Sequence, residues 1–236
     1  MSWLQTVFAS LLGTGVGSAV TATIAEHHAS KRERAHSVDA LASVRTELLV
    51  AANRIISSIL TAHMTMQVGH IPVVTDDLTL MYRTHASVIH VQLHAKDVLT
   101  VTAAYSFLGV YARGRDIREH SSRFAFTYGL YMSTLNALYN AYELLGGLLA
   151  SEYKFSVPSE FAVFYLGAKV TDDACEAEIK KLPTPDENSS EEKIAGLKND
   201  MLGIKAFAVS LMKDMRAKGY EPTEITGANL KSMGIS

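Results

Sequence analysis

The sequence holds a single cysteine, Cys175. A lone thiol forms no internal disulfide and has no cysteine partner for a zinc cage, which fits a domain kept in a reducing compartment. An excess of one charge sign is missing as well. The formal net charge is −2 and the pI about 6.5, so no global basic field exists to hold nucleic acid by neutralising phosphates. Strand pairs joined by a hairpin signal are absent, as is any internal repeat of roughly 20 to 50 residues. There is no GxxxxGK[ST] loop, no GxSxG elbow, no HExxH pair and no glycine fingerprint following a strand. Gly13, Gly15 and Gly17 match G-x-G superficially, but they precede no βαβ unit. These absences leave no cofactor implied and no enzyme required. The chain of 236 residues suffices for one packed domain plus an appendage.

What is present begins with an uncharged run from Trp3 to Ala25. As a helix it would reach about 34 Å, enough to cross a hydrocarbon core. Gln5, four threonines, two serines and three glycines weaken its hydropathy, so insertion is easier for a helix that packs against neighbours. Ala9, Gly13, Gly17 and Thr21 recur every fourth residue. They set small groups along one ridge, and Gly13 to Gly17 forms a GxxxG through which copies of the helix would approach closely. Thr6, Ser10, Thr14 and Ser18 form a hydroxyl ridge beside it. A secretory signal is disfavoured because no basic residue leads the run. A buried soluble helix is the competing reading. Lys31, Arg32 and Arg34 follow the run, and the positive-inside tendency then places the short N-terminus outside and the remainder in the cytoplasm.

Beyond residue 27 the periodicity is helical. Leu41, Leu48, Ala52, Ile55 and Ile59 predict a helix from Val38 to about Met66, with Arg45 interrupting its apolar face. A second helix is expected from Asp77 to about Tyr111. It is apolar nearly all round, through Val88, Ile89, Val91, Leu93, Val98, Leu99, Val101, Tyr105, Phe107, Leu108 and Val110, and so is expected to be a central element covered on several sides. The third shows the clearest period, Phe124, Tyr128, Tyr131, Leu135, Leu138, Tyr142, Leu145 and Leu149. Its tyrosine hydroxyls need partners, which predicts a half-wet seam. Asn136, Asn140 and Glu143 on a neighbouring stripe could line a polar cleft or face solvent. Pro158 suits a further helix start, and Thr171 to Asp173 a shorter helix reaching Leu182. The segment PTPDENSSEE, residues 183–192, has the composition of an acidic linker. After it Ile194, Leu197, Met201, Ile204, Ala208, Leu211 and Met215 keep heptad spacing, the seam of a coiled coil or of a helix docking in a bundle groove. Gly219 ends it.

Two constellations could carry chemistry. His90 and His94 are spaced one helical turn apart, as two metal-sharing imidazoles would be, and His63, His70 and His85 lie nearby if the first two helices are antiparallel. No cysteine assists, a carboxylate third ligand such as Asp97 has no spacing to support it, and no metal is expected. The basic segment 113–123 contains Arg115, Asp116 and His120 in the order R-D-x-x-x-H, which resembles the R-polar-x3-H motif of HEPN domains, helical bundles many of which are RNases. The resemblance covers six residues and implies that Arg115 and His120 act at a phosphodiester, with Asp116 orienting, in a site shared by two protomers. Here the motif falls in a connection, where a solvated turn would have the same composition, whereas the family carries it at a helix start.

The sequence therefore predicts an all-α protein. Its parts are a single transmembrane anchor (residues 1–27), a cytoplasmic helical bundle (28–182), an acidic linker (183–192) and a C-terminal heptad helix with tail (193–236). Its expected partners are membrane lipid, copies of itself, and a protein partner through the C-terminal helix; nucleic acid is not expected, except RNA under the ribonuclease alternative. The expected role is an oligomerising scaffold, sensor or effector. A pore lined by the hydroxyl ridge is a further alternative.

Overall fold

A computed structural model of the chain describes residues 3–64, 76–113, 123–155, 160–182, 191–220 and 222. Side chains of residues 3–25, 27–28, 61–64, 76–77, 113 and 123–124 fall outside that description. The elements are α1 (Trp3–Met64), a 3-10 turn (Asp76–Thr79), α2 (Leu80–Gln92), α3 (Ala95–Arg113), α4 (Arg123–Ser151), α5 (Phe161–Lys181) and α6 (Glu191–Ala217). No strand occurs among the described residues. The protein is an all-α helical bundle.

The run Trp3–Ala25 and the helix expected from Val38 are one element, α1. Residues 18–64 contain neither glycine nor proline, so nothing in the backbone chemistry stops the hydrogen-bond ladder between them. Among the described residues no helix is long and apolar enough to cross a membrane. The side chains of the expected anchor, residues 1–27, lie outside the description except Glu26, which is exposed.

The helix at the centre is α4, which packs against α1, α3, α5 and α6. Tyr128, Tyr131, Leu135, Leu138, Tyr142, Leu145 and Leu149 are all buried, none more than 1% exposed. Their three-and-four spacing is the reason they share one face. The expected central role of the Asp77–Tyr111 segment is corrected. That segment breaks at Leu93, whose backbone is extended (φ −98°, ψ 145°), and α3 restarts where Asp97 and Val98 donate their N–H groups to the carbonyl of His94. Leu93 itself is buried, so the kink keeps an apolar side chain in the core while the axis turns. Two short helices then lie on the outside of the bundle, leaving Val91 80%, Leu99 68% and Val110 43% exposed.

A second correction concerns α5, which runs unbroken through Thr171. The Thr171 hydroxyl donates to the Gly167 carbonyl at 3.0 Å within the helix. The cue read as a helix start is thus satisfied as back-bonding inside one. Among the glycines with described surroundings, Gly167 meets the closest neighbours. A Cβ there would sit 2.6 Å from Tyr131 Oη, 2.8 Å from Leu135 Cδ2 and 2.9 Å from Ile56 Cγ1, so only glycine lets α5 meet α4 and α1 at this point.

Helix α6 lies along α5 and α4. Met201, Ala208, Leu211 and Met215 of the heptad are buried, together with Met212, while Ile194, Leu197 and Ile204 are half-buried. The helix closes with a Schellman pattern: Gly219 (φ 88°) donates to the Arg216 carbonyl and Tyr220 to the Met215 carbonyl. The aromatic ring of Tyr220 then packs 5.3 Å from that of Tyr165 on α5, which ties the capped end of α6 to the neighbouring helix.

Candidate functional site

Three polar junctions interrupt the apolar core. The first surrounds Glu47, 7% exposed on α1. Its Oε1 accepts the Met81 N–H at 2.7 Å, and its Oε2 accepts the Tyr82 N–H at 3.0 Å and the Tyr105 hydroxyl at 2.7 Å. Met81 and Tyr82 are in the first turn of α2, so a carboxylate from another helix satisfies N–H groups that a helix start leaves unpaired, where the dipole favours negative charge. The Tyr82 and Tyr105 rings stack at 4.2 Å, and the Tyr82 hydroxyl lies 3.2 Å from that of Thr102 and 3.4 Å from His90 Nε2. Burial, then the Glu47 carboxylate, pushes the Tyr105 phenol far above its usual range.

The second junction explains why Arg45 interrupts the apolar face of α1. Its guanidinium lies 3.7 Å from the Tyr142 ring centroid, and Nε donates to the Tyr142 carbonyl at 3.3 Å. Gly146 leaves room for it, since a Cβ there would meet Arg45 Nε at 3.0 Å. Burial lowers the Arg45 pKa, opposed by Tyr142, Glu143 and Glu160. The Tyr142 hydroxyl in turn accepts the Glu160 N–H at 3.0 Å, at the start of α5.

The third fastens the end of α6. The Tyr139 hydroxyl donates to Asp214 Oδ2 at 2.7 Å, and Lys218 reaches Asp214 (2.9 Å), Tyr139 (3.0 Å) and Glu143 (3.3 Å). Asp214 is held below the usual carboxylate range, first by the hydrogen bond from Lys218. Burial pushes Tyr139 up to about 12. Alongside, Arg216 donates to the Tyr165 hydroxyl at 2.5 Å. These groups hold structure together; every one of them has a partner within the fold.

Open clefts flank these junctions, among them two that bear on the residues above. One, of about 550 Å³, runs along α1 beside the 3-10 turn and the start of α2; Val50, Leu80 and Met81 are its exposed apolar rim, and Asp39, Thr46 and Glu47 lie on its polar wall. The other, about 360 Å³, has Ser133, Asn136 and Asn140 of α4 as its floor between Phe107 of α3 and Phe207 of α6. Asn136 and Asn140 thus lie in a cleft whose walls are largely apolar, whereas Glu143 turns to Lys218.

The histidine pairing is not realised. His90 lies within α2 and His94 beyond its end, so the extended Leu93 removes the one-turn spacing. Among the described residues no group of three His, Cys, Asp or Glu could hold a metal. Arg115, Asp116 and His120 fall outside the described residues, between α3 and α4, as do the side chains of Ala9, Gly13, Gly17 and Thr21. Sequence reasoning missed Glu47, whose partners come from α2 and α3, although an acid inside an apolar helical face was a visible signal.

The end of the bundle where α1 enters is open. Glu26 and residues 29–36 are exposed, and burial begins at Ser37. Arg34 Nη2 donates to the carbonyls of Glu152 (3.3 Å) and Tyr153 (3.2 Å), just past the end of α4. The Tyr153 hydroxyl donates to Gln92 Oε1 at 2.9 Å. One end therefore gathers α1, the last turn of α2 and the end of α4.

The chain matches no protein-family model, no curated protein and no solved structure.

Proposed function

We propose that the protein is a membrane-anchored, self-associating helical scaffold or effector that presents its bundle on the cytoplasmic side of a membrane. One observation carries the reading: α1 runs unbroken from Trp3 into the core, and its exposed stretch 29–36 leads out of the bundle toward the uncharged run Trp3–Ala25. From Trp3 to Ser37 such a helix extends about 51 Å. Its uncharged part is of modest hydropathy, and close packing of copies along its small-residue ridge would offset that in lipid. The ridge Ala9, Gly13, Gly17 and Thr21 supports close pairing of copies in lipid, and Lys31, Arg32 and Arg34 support the cytoplasmic orientation of the bundle. The heptad helix α6 uses Met201, Ala208, Leu211 and Met215 on its own bundle, so any protein partner meets its outer face.

The test is fractionation. The full chain is expected to resist carbonate extraction, and a chain starting at Ala29 to be released. Gly13→Leu with Gly17→Leu is expected to shrink the cross-linked oligomer while leaving the membrane fraction unchanged. Full release of the intact chain by carbonate overturns the anchor, and RNA cleavage lost in His120→Ala would replace the scaffold reading with the ribonuclease one.

A further inference from the structure

We infer that the bundle end around Tyr153 is itself a lipid-docking face, which sits on the anionic headgroups of the membrane that holds α1; this rests on the anchored reading. Two large apolar side chains lie open there. Val91, in the last turn of α2, is 80% exposed, and Phe155, just past α4, is 44% exposed. They belong to one end because the Tyr153 hydroxyl bonds Gln92, next to Val91, while Arg34 of α1 bonds the carbonyls of Glu152 and Tyr153.

The backbone presents Phe155 at that end. Lys154 has φ 56°, the left-handed region where glycine is usual, and Phe155 N–H donates to the Leu149 carbonyl at 2.9 Å. The chain folds back over the helix end and leaves the Phe155 ring outside. Lys154 Nζ donates to the Ser151 carbonyl, so its charge stays at the same end.

Charge favours an anionic surface. Lys31, Arg32, Arg34, Lys96 and Lys154 lie at or beside this end, against the exposed Glu26, Glu33 and Glu152 and the buried Asp97. Each basic residue near such a surface strengthens binding about fivefold. Geometry supplies the reach. From Ala25, the last residue of the uncharged run, to Arg34 the helix rises about 14 Å, while a headgroup layer is only about 5 to 8 Å deep. Lys31 and Arg32, about 9 and 10 Å beyond Ala25 along the axis, clear the headgroups of an upright helix; a tilt approaching about 40° brings them down to headgroup level and lowers one side of the bundle onto the surface. Val91 and Phe155 then enter the interface as apolar residues flanked by cations do.

The experiment uses the full chain in vesicles of phosphatidylcholine, with and without phosphatidylglycerol. A fluorophore is placed at the exposed Ser151 by Ser151→Cys, Cys175 being buried. With phosphatidylglycerol present, nitroxide-bearing lipids are expected to quench the probe. Quenching should fall several-fold in neutral vesicles, in high salt, or in Val91→Asp with Phe155→Asp, while carbonate resistance and helix content hold. A probe unquenched in anionic vesicles, or quenched equally in every condition, overturns the docking face even where the anchor stands. If carbonate strips the chain, the anchor reading fails instead. Salt-sensitive flotation with anionic vesicles, lost in the double variant, would then still support the docking face, and absence of flotation would remove both.

Discussion

Arg45 lies flat on Tyr142, its guanidinium carbon 3.7 Å from the ring centroid, in the middle of the α1–α4 contact. A desolvated cation–π pair of this kind contributes about 2 kcal/mol, and the arginine stem packs as well. Arg45→Ala is therefore expected to cost about 3 kcal/mol, and Arg45→Lys to recover only part of it because an ammonium cannot stack as a plane. Urea unfolding of the detergent-solubilised chain, compared at equal slope, measures both. Equal stability of the lysine variant and the parent would show that charge alone matters here.

Gly167 and Tyr131 make a coupled prediction. The Tyr131 hydroxyl is buried and has no hydrogen-bond partner among the described residues, so Tyr131→Phe is expected to be neutral or to stabilise by up to about 1 kcal/mol. Gly167→Ala drives a methyl against that hydroxyl, Leu135 and Ile56, and overpacking of this kind costs about 1 to 3 kcal/mol. Removing the hydroxyl relieves the shortest of the three contacts. The double variant is expected to be more stable than the sum of the singles by at least about 0.5 kcal/mol. Strict additivity in a double-mutant cycle would show that the backbone moves instead.

These residues mark what the sequence could and could not reveal. The α4 stripe was legible because burial on one helix face follows directly from spacing, and the same holds for Leu41, Leu48, Ala52, Ile55 and Ile59 on α1. The break at Leu93 was not, since no glycine or proline announces it; only the packing of α2 and α3 against α1 and α4 rewards an extended residue there. Nor does spacing along one helix reveal that Glu47 meets the start of α2 or that Arg45 meets Tyr142, because those partners are brought together by topology. The polar intruders on apolar faces were the visible trace of such junctions. For the candidate site, the basic residues at 31–34 were readable, while Val91 and Phe155 became companions only through Tyr153.

Glu47 offers a sharper test of the first junction. Glu47→Ala removes the acceptor for two backbone N–H groups and the Tyr105 hydroxyl, and each buried donor left unpaired costs about 1 to 3 kcal/mol. The expected loss exceeds about 3 kcal/mol. Glu47→Gln keeps one oxygen acceptor and is expected to lose less. Hydrogen exchange at the Met81 and Tyr82 amides should accelerate in the alanine variant before the amides of α4 respond. Simultaneous acceleration across both helices would mean that the junction opens only with the whole bundle.

The tyrosines predict how stability responds to alkali. Burial raises the phenol pKa of Tyr105, Tyr128, Tyr131, Tyr139, Tyr142 and Tyr220, with Tyr128 and Tyr139 reaching about 12. In the unfolded chain these groups ionise near the ordinary value of about 10. The folded state thus binds more protons above that pH, and stability falls as pH rises. The contribution is intact below about pH 10 and is lost progressively through about 12 and beyond. Asp214 behaves oppositely: its lowered pKa gives stability present above the unfolded value and lost as pH falls through the folded one. It is only partly buried, so the acid effect is the smaller. Tyrosinate absorbance followed with helix circular dichroism should therefore show the buried phenols ionising together with loss of helix. Ordinary phenol titration with the helices intact would mean that water reaches those rings in the folded bundle.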